Sequence, residues 1–227
     1  MPQGAPLLYF PWPPKWGRIA SCSRFLIGSR REKSPVDKPL NSVSYYHRRL
    51  PHLESAHASL FITWRLHGSL PLNRAFPPET TSGKAFATMD TLLDQATTGP
   101  LYLRRPEIAT LMVDALRHGQ KQMFKYDLHA YVVMSNHVHL LITPREPLSK
   151  ITHSLKRFTA RKANELLALT GQPFWQDESY DHLVRNTEGF ERVVRYIENN
   201  PVRAGLVKDA SDFPWSSGAG LQPARDL

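Results

Sequence analysis

His137-Val138-His139 is the stretch of this sequence most able to do chemistry. It opens the second of two apolar runs in Tyr131-Val-Val-Met-Ser-Asn-His-Val-His-Leu-Leu-Ile142, which are separated by a Met-Ser-Asn turn. Residues i and i+2 of a strand point to the same face, so both imidazoles project together and Val138 faces the other way. Two imidazoles side by side can hold one divalent cation if the chain brings up another ligand and a reacting group. Packing alone also produces such pairs, so the pair gains meaning only from what joins it.

Tyr196 and Asn200 are the candidates to join it. Phe190, Val193, Val194 and Ile197 form the buried stripe of a helix. At about 100° per residue, Tyr196 and Asn200 lie roughly 40° apart, one turn from each other at the edge of that stripe. Asn200 offers an amide oxygen and Tyr196 a phenol. A tyrosine at a helix edge commonly packs with its hydroxyl in water, and an Asn before Pro201 suits a helix end in its own right. Two imidazoles and an oxygen donor leave coordination positions open, a mixed set that fits Mg²⁺ or Mn²⁺ bound partly through phosphate. Such an ion polarises a phosphodiester. A phenol is a poor nucleophile at its usual pKa of ~10; once activated, it attacks phosphorus to give a covalent phosphotyrosine. That bond conserves the energy of the broken one, so the strand can be rejoined. A zinc hydrolase would want a third strong ligand and a carboxylate base, and the sequence shows neither beside the His pair.

The elements that must position these residues can be read in order. Alternation over Ala58 to Leu66 predicts a strand, and Gly68 to Gly83, rich in Pro, Ser and Thr, a loop. A short helix is expected over Lys84 to Gln95. A longer helix begins at Arg104-Arg-Pro-Glu107, with Pro106 in its first turn and Ile108, Leu111, Met112, Ala115 and Leu116 as its apolar stripe. Leu128 to Val133 and Val138 to Ile142 form a hairpin. Pro147 to Leu169 reads as a helix, Tyr180 to Arg185 as a strand, and Thr187 to Asn199 as a helix that stops at Pro201. The order β-α-β-β-α-β followed by a helix is that of an α+β, ferredoxin-like split βαβ fold. It is an antiparallel sheet with helices on one face plus a C-terminal tyrosine-bearing helix.

Composition narrows the partner. The 227-residue chain carries a net charge of +9, with a pI near 9.8, which points to a polyanion, most simply nucleic acid. Hydrophobic residues make up 41% of the chain, yet no run approaches the ~18 apolar residues of a membrane span. Cys22 is the single cysteine, so there is no internal disulfide framework, and a reducing cytoplasm fits. Residues 1–42 stand apart. They are punctuated by proline and hold seven basic residues against two acidic ones, and they read as a disordered basic extension. A catalytic domain is expected over 43–217 and a frayed tail over 218–227. Arg48 and Arg49 precede the first strand. Lys150, Lys156, Arg157, Arg161 and Lys162 lie on one helix with no acidic residue among them until Glu165, and phosphate contact is assigned to all seven.

Val132-Val-Met-Ser-Asn-His-Val-His-Leu-Leu141 resembles the His-hydrophobic-His (HUH) signature of the single-tyrosine insertion-sequence transposases. Tyr196-Ile-Glu-Asn-Asn-Pro-Val-Arg-Ala-Gly205 resembles the Tyr-Ile-x-x-Asn-Pro-Val-Arg/Lys-x-Gly segment of their REP-associated tyrosine branch. Tyr46-His-Arg-Arg-Leu-Pro51, Phe174-Trp-Gln176 and Asp181-His182-x-Val-Arg185 look like that branch too. The likeness covers about residues 45–217; residues 1–42 have no counterpart in it. It implies that His137 and His139 bind the divalent metal, that Tyr196 is the nucleophile, and that Asn200 stands where relatives complete the metal site. It also implies a single-stranded, hairpin-forming DNA partner joined through its 5′ end, no nucleotide cofactor, and either homodimers that exchange the tyrosine helix or monomers. Asp181 and His182 would lie near the site without ligating. Two other roles remain open at this point: a replication or relaxation initiator of the same chemistry, against which the lack of a helicase-like extension counts, and a domesticated hairpin-binding protein that does not cut.

Overall fold

The computed structural model describes residues 44–47, 51–54, 58–70, 82–97 and 99–219. The extension over 1–42, Arg48 and Arg49, most of the loop after Gly68, and the last residues lie outside these.

Among the described residues, six strands and four α-helices follow in chain order. They are β1 (Ser44–His47), β2 (Pro51–Glu54), β3 (Leu60–Arg65), α1 (Ser82–Asp94), α2 (Pro106–Lys121), β4 (Tyr126–Val133), β5 (His137–Pro144), α3 (Leu148–Leu167), β6 (Tyr180–Leu183) and α4 (Thr187–Arg203). β1 and β2 pair as a separate antiparallel hairpin. The other four strands form one sheet in the order β4-β5-β3-β6, with every neighbour antiparallel. From β3 onward this is the split βαβ order expected from the alternation of apolar patterns, and the class is α+β.

The sheet is covered on both faces. Leu60, Ile62 and Trp64 of β3 and Val138, Leu140 and Ile142 of β5 pack with Ile108, Met112 and Leu116 of α2 and Ile151 and Leu155 of α3. The odd-numbered face of β3 and β5, represented by Phe61 and Leu141, packs with Ile197, Phe190 and Val193 of α4 and Phe86 of α1. Helix α1 therefore joins α4 rather than the α2–α3 layer. Burying a Leu or Ile side chain contributes roughly 1.5–3 kcal/mol. A one-residue slip of β5 would turn Val138, Leu140 and Ile142 out of the larger core and drive the two imidazoles into it. The apolar pattern thus fixes the face on which the His pair stands.

Two further details, both near the C-terminal helix, differ from the sequence reading. α4 does not stop at Pro201 but continues to Arg203, with Pro201 inside it and buried. A proline removes the hydrogen bond back to residue i−4. One turn from the helix end that loss is small beside the burial of the ring, and the turn beyond is closed by Ala204 N donating to Asn200 O and Leu206 N donating to Pro201 O, both at 2.9 Å. The segment after α4 then returns along the outer edge of β4. Val133 N donates to Trp215 O and Ser217 N to Tyr131 O, each at 2.9 Å, with a bridge between Val132 and Ser216. Ser217 Oγ also donates to Glu198 of α4 at 3.3 Å. This strap covers part of an edge strand, which otherwise invites foreign pairing, and ties α4 to the sheet.

Candidate active site

Strand register brings the first pair together. His139 lies opposite Thr63 of β3, and its Nδ1 is 2.7 Å from the Thr63 hydroxyl. Both imidazoles are fully buried, with their Nε2 atoms 3.0 Å apart. Asn136, in the β4–β5 turn, sets the tautomer of His137. Its Nδ2 donates to Leu93 O at 3.1 Å, which leaves Oδ1 facing His137 Nδ1 at 2.7 Å. An amide oxygen only accepts, so His137 Nδ1 carries the proton and its Nε2 presents a bare lone pair toward His139. Burial first, and then the neighbouring His139, push His137 down to about 3, with Asp90 opposing; it is neutral at pH 7, as a metal ligand must be.

The third member is one that sequence reading missed. Asp90 of α1 is buried, and its Oδ1 lies 3.1 Å from His139 Nε2 and 3.6 Å from His137 Nε2. The three groups converge closely enough to share one cation. Asp90 Oδ1 has no hydrogen-bond partner. A buried carboxylate oxygen facing imidazole lone pairs with no donor of its own is the environment a divalent cation satisfies, so the residues present fit the metal. The view that no carboxylate stands beside the His pair is therefore corrected. The signal was present in α1: Phe86, Asp90, Leu93 and Asp94 fall at i, i+4, i+7 and i+8, which places two carboxylates on the apolar stripe of a short helix.

Tyr196 and Asn200 arrive from α4 as the helical spacing predicts. The Tyr196 hydroxyl donates to the other oxygen of Asp90, Oδ2. Its ring meets Phe61 edge-on at 5.8 Å and lies 5.7 Å from His139. Asn200 is fully buried, with Nδ2 3.4 Å from His139 Nε2 and Oδ1 unpartnered. Burial would raise the Asp90 carboxyl, but the two adjacent imidazoles, His139 foremost, and the hydrogen bond from Tyr196 hold it well below the usual range. The phenol is pushed the other way. Burial, then the charge and hydrogen bond of Asp90, raise Tyr196 far above the ordinary phenol, against the opposing hydrogen bond and charge of Arg203. Asp94, 3.7 Å from His137 Nε2, is raised to about 7 by burial and by the charge of Asp90, with Arg203 opposing.

Other assigned residues fall elsewhere. Asp181 pairs with Ile62 and His182 with Phe61. Asp181 thus sits on the α2–α3 face, across the sheet from the imidazoles, and His182 is exposed. Tyr180 stacks on Phe86 at 4.4 Å. Lys150, Arg157 and Arg161 are exposed on α3, also across the sheet from the His pair. Lys156 Nζ donates to the carbonyls of Gln176 and Asp177 at 2.5 and 2.8 Å, tying the loop before β6 to the helix, and burial lowers its pKa to about 8. Lys162 pairs with Glu165 at 2.8 Å. Between α3 and that loop runs a groove of about 1220 Å³, whose lining includes Lys150, His153, Arg157, Trp175 and Gln176.

Residues 107–200 match the family described as "Transposase IS200 like". The chain is 31% identical over 117 residues to a REP-associated tyrosine transposase of Escherichia coli K12, covering 50% of this chain and 69% of that protein. It is 24% identical over 128 residues to a provisionally named REP-associated tyrosine transposase of Haemophilus influenzae, covering 50% of this chain and 73% of the other. Among solved structures it is similar, at a TM-score of 0.46 and 20% identity, to a REP-associated tyrosine transposase bound to a REP hairpin, over 76% of this chain and 81% of that one.

Proposed function

The chain belongs to the REP-associated tyrosine transposases, and from that membership we propose that it cuts and rejoins single-stranded, hairpin-forming DNA through a covalent 5′-phosphotyrosine at Tyr196. The observation that carries the reading is the convergence, in one chain, of the Tyr196 hydroxyl, Asp90 and the two imidazoles.

His137, His139 and Asp90 would hold a divalent cation, Mg²⁺ or Mn²⁺, with the buried amide of Asn200 beside them. When bound, the ion polarises the scissile phosphodiester and lowers the cost of ionising the nearby phenol. Asn136 and Thr63 keep the imidazoles turned toward a common point, and such partners are worth about 10–100-fold in metal affinity. Asp90 also positions the nucleophile, since its second oxygen fixes the phenol rotor. Phe61 and Phe86 wall the tyrosine ring, with Tyr180 stacked on Phe86 behind them. The groove beside α3, with exposed basic side chains and Trp175 in its lining, seats nucleic acid by phosphate contact. The loop that borders it runs directly into Tyr180 at the aromatic wall, so a strand leaving the groove can round the β6 edge toward Tyr196.

One observation favours a second reading, a hairpin binder that does not cut. The phenol is held as a donor to Asp90 and its ionisation is opposed by burial. Labelled single strands from the gene's flanks, chosen for palindromes that fold as hairpins and incubated with Mn²⁺, distinguish the two. A denaturant-resistant adduct is expected from the intact protein, none from Tyr196→Phe, and a loss on the order of 10²-fold from Asp90→Asn. Tight binding without any adduct supports the binder.

A further inference from the structure

We propose that Arg203 is the clamp for the scissile phosphate, its guanidinium meeting a non-bridging oxygen of the phosphodiester as Tyr196 attacks. This rests on the cutting-and-rejoining reading above.

The continuation of α4 through Pro201 is what places it. Tyr196 and Arg203 are seven residues apart, two turns of helix, and so share a face to within roughly 20°. A helix broken at Pro201 would not hold that register. The guanidinium lies over the Tyr196 ring, 4.8 Å from its centroid, close enough for a cation–π contact. The inner side of the phenol is filled: Asp90 takes the hydroxyl, and Phe61 and His139 pack on the ring. These groups leave the other side of the phenol for an approaching phosphate, and the exposed Arg203 stands over the ring. Next to it is a hollow of about 150 Å³ lined by Thr91, Asp94, Gln95, Arg203 and Ala204. Without DNA the guanidinium interacts with the charges of Asp94 and Asp90; an arriving phosphate competes for it.

The chemistry of the group suits the task. A guanidinium is always charged, is weakly hydrated, and presents paired donors that match two phosphate oxygens. During the step the Tyr196 Oη–P bond forms and the bond from phosphorus to the 3′ oxygen breaks. The phenol gives up its proton and the departing 3′ oxygen takes one up as the 3′-hydroxyl. Negative charge gathers on the non-bridging oxygens, where Arg203 can neutralise it. The same contact holds the 5′-phosphotyrosine in place for rejoining.

The test uses the full-length protein with Mn²⁺ and the labelled palindromic single strand, first to map the cleaved phosphate with the intact protein. The rate of adduct formation is then measured for intact protein, Arg203→Ala and Arg203→Lys. Each is run on the ordinary strand and on one with a neutral methylphosphonate at the mapped position. Arg203→Ala is expected to be slower by about 10²-fold on the ordinary strand, with DNA affinity within a few-fold of the intact protein and partial recovery in Arg203→Lys. On the methylphosphonate, where no charge remains to be neutralised, the intact protein and Arg203→Ala should run at similar rates. An equal loss on both strands, or no loss on either, overturns the clamp while leaving Tyr196 as nucleophile. Absence of an adduct from the intact protein overturns the cutting reading and the clamp with it.

Discussion

Asn136 and Asp94 show how single residues set the protonation of this site. Asn136 commits its amide to Leu93 and to His137, so one imidazole nitrogen is kept protonated and the other kept bare. Asp94 is different. Its carboxyl, raised to about 7, binds a proton in the folded chain that the unfolded chain releases near its ordinary value of ~4. In metal-free protein, stability from this group is therefore present at low pH and falls as pH rises from about 4 to about 7. Asp94→Asn removes that slope and should be more stable than the intact protein at pH 8, with the advantage vanishing toward pH 4. Urea midpoints of the two proteins across that range give the comparison, and parallel pH dependences would refute the assignment. That His137 and His139 share one face, and that Tyr196 and Asn200 stand one helical turn apart, could be read from spacing; the roles expected of them came from the family resemblance. Asp90 was missed, because a carboxylate on a helix is usually solvated; its place on the apolar stripe of α1 was legible, but only packing of α1 against the sheet brings it to the imidazoles.

Among the elements, α2 and β4 meet most tightly at Gly119. A Cβ there would stand 2.3 Å from Tyr126 Oη and 2.8 Å from Cζ. The Tyr126 ring is buried and donates to Leu116 O at 2.8 Å, so it cannot swing aside without leaving a buried polar group unpaired. Glycine ordinarily weakens a helix; here it admits the ring. Gly119→Ala should destabilise the fold by about 1–3 kcal/mol, read as a lower urea midpoint, despite the better helix propensity of alanine. A neutral or stabilising result would mean that the strand does not approach the helix this closely. The apolar stripes of α2 and α4 and the alternation of β3 predicted their buried faces well, since burial of those side chains dominates local preference. The end of α4 was misjudged for the converse reason: local rules stop a helix before proline, whereas tertiary burial of Pro201 carried it on to Arg203.

At the scale of the whole molecule, the imidazole site and the basic helix lie on opposite faces of one sheet. The strand order was legible because β-α-β-β-α-β allows few arrangements. The placement of α1 beside α4 was not, since nothing in its sequence says which face it covers. Among the described residues no helix is long and apolar enough to cross a membrane. The separation of the two faces predicts separable effects. Replacing both Lys150 and Arg161 with Gln should weaken DNA binding and flatten its salt dependence by a slope of roughly 1–2, while the rate of adduct formation at saturating DNA stays near that of the intact protein. A drop in that saturated rate would place the two side chains in the chemical step. The strap along β4 has a consequence for assembly. It fastens α4 to the sheet that carries the imidazoles, and Asp90 comes from the same polypeptide, so the Tyr196 hydroxyl, Asp90 and the two imidazoles meet within a single copy of the chain. In the cutting reading, the rate of adduct formation per molecule is expected to stay constant as the protein is diluted, and a fall with dilution would point to a centre shared between copies.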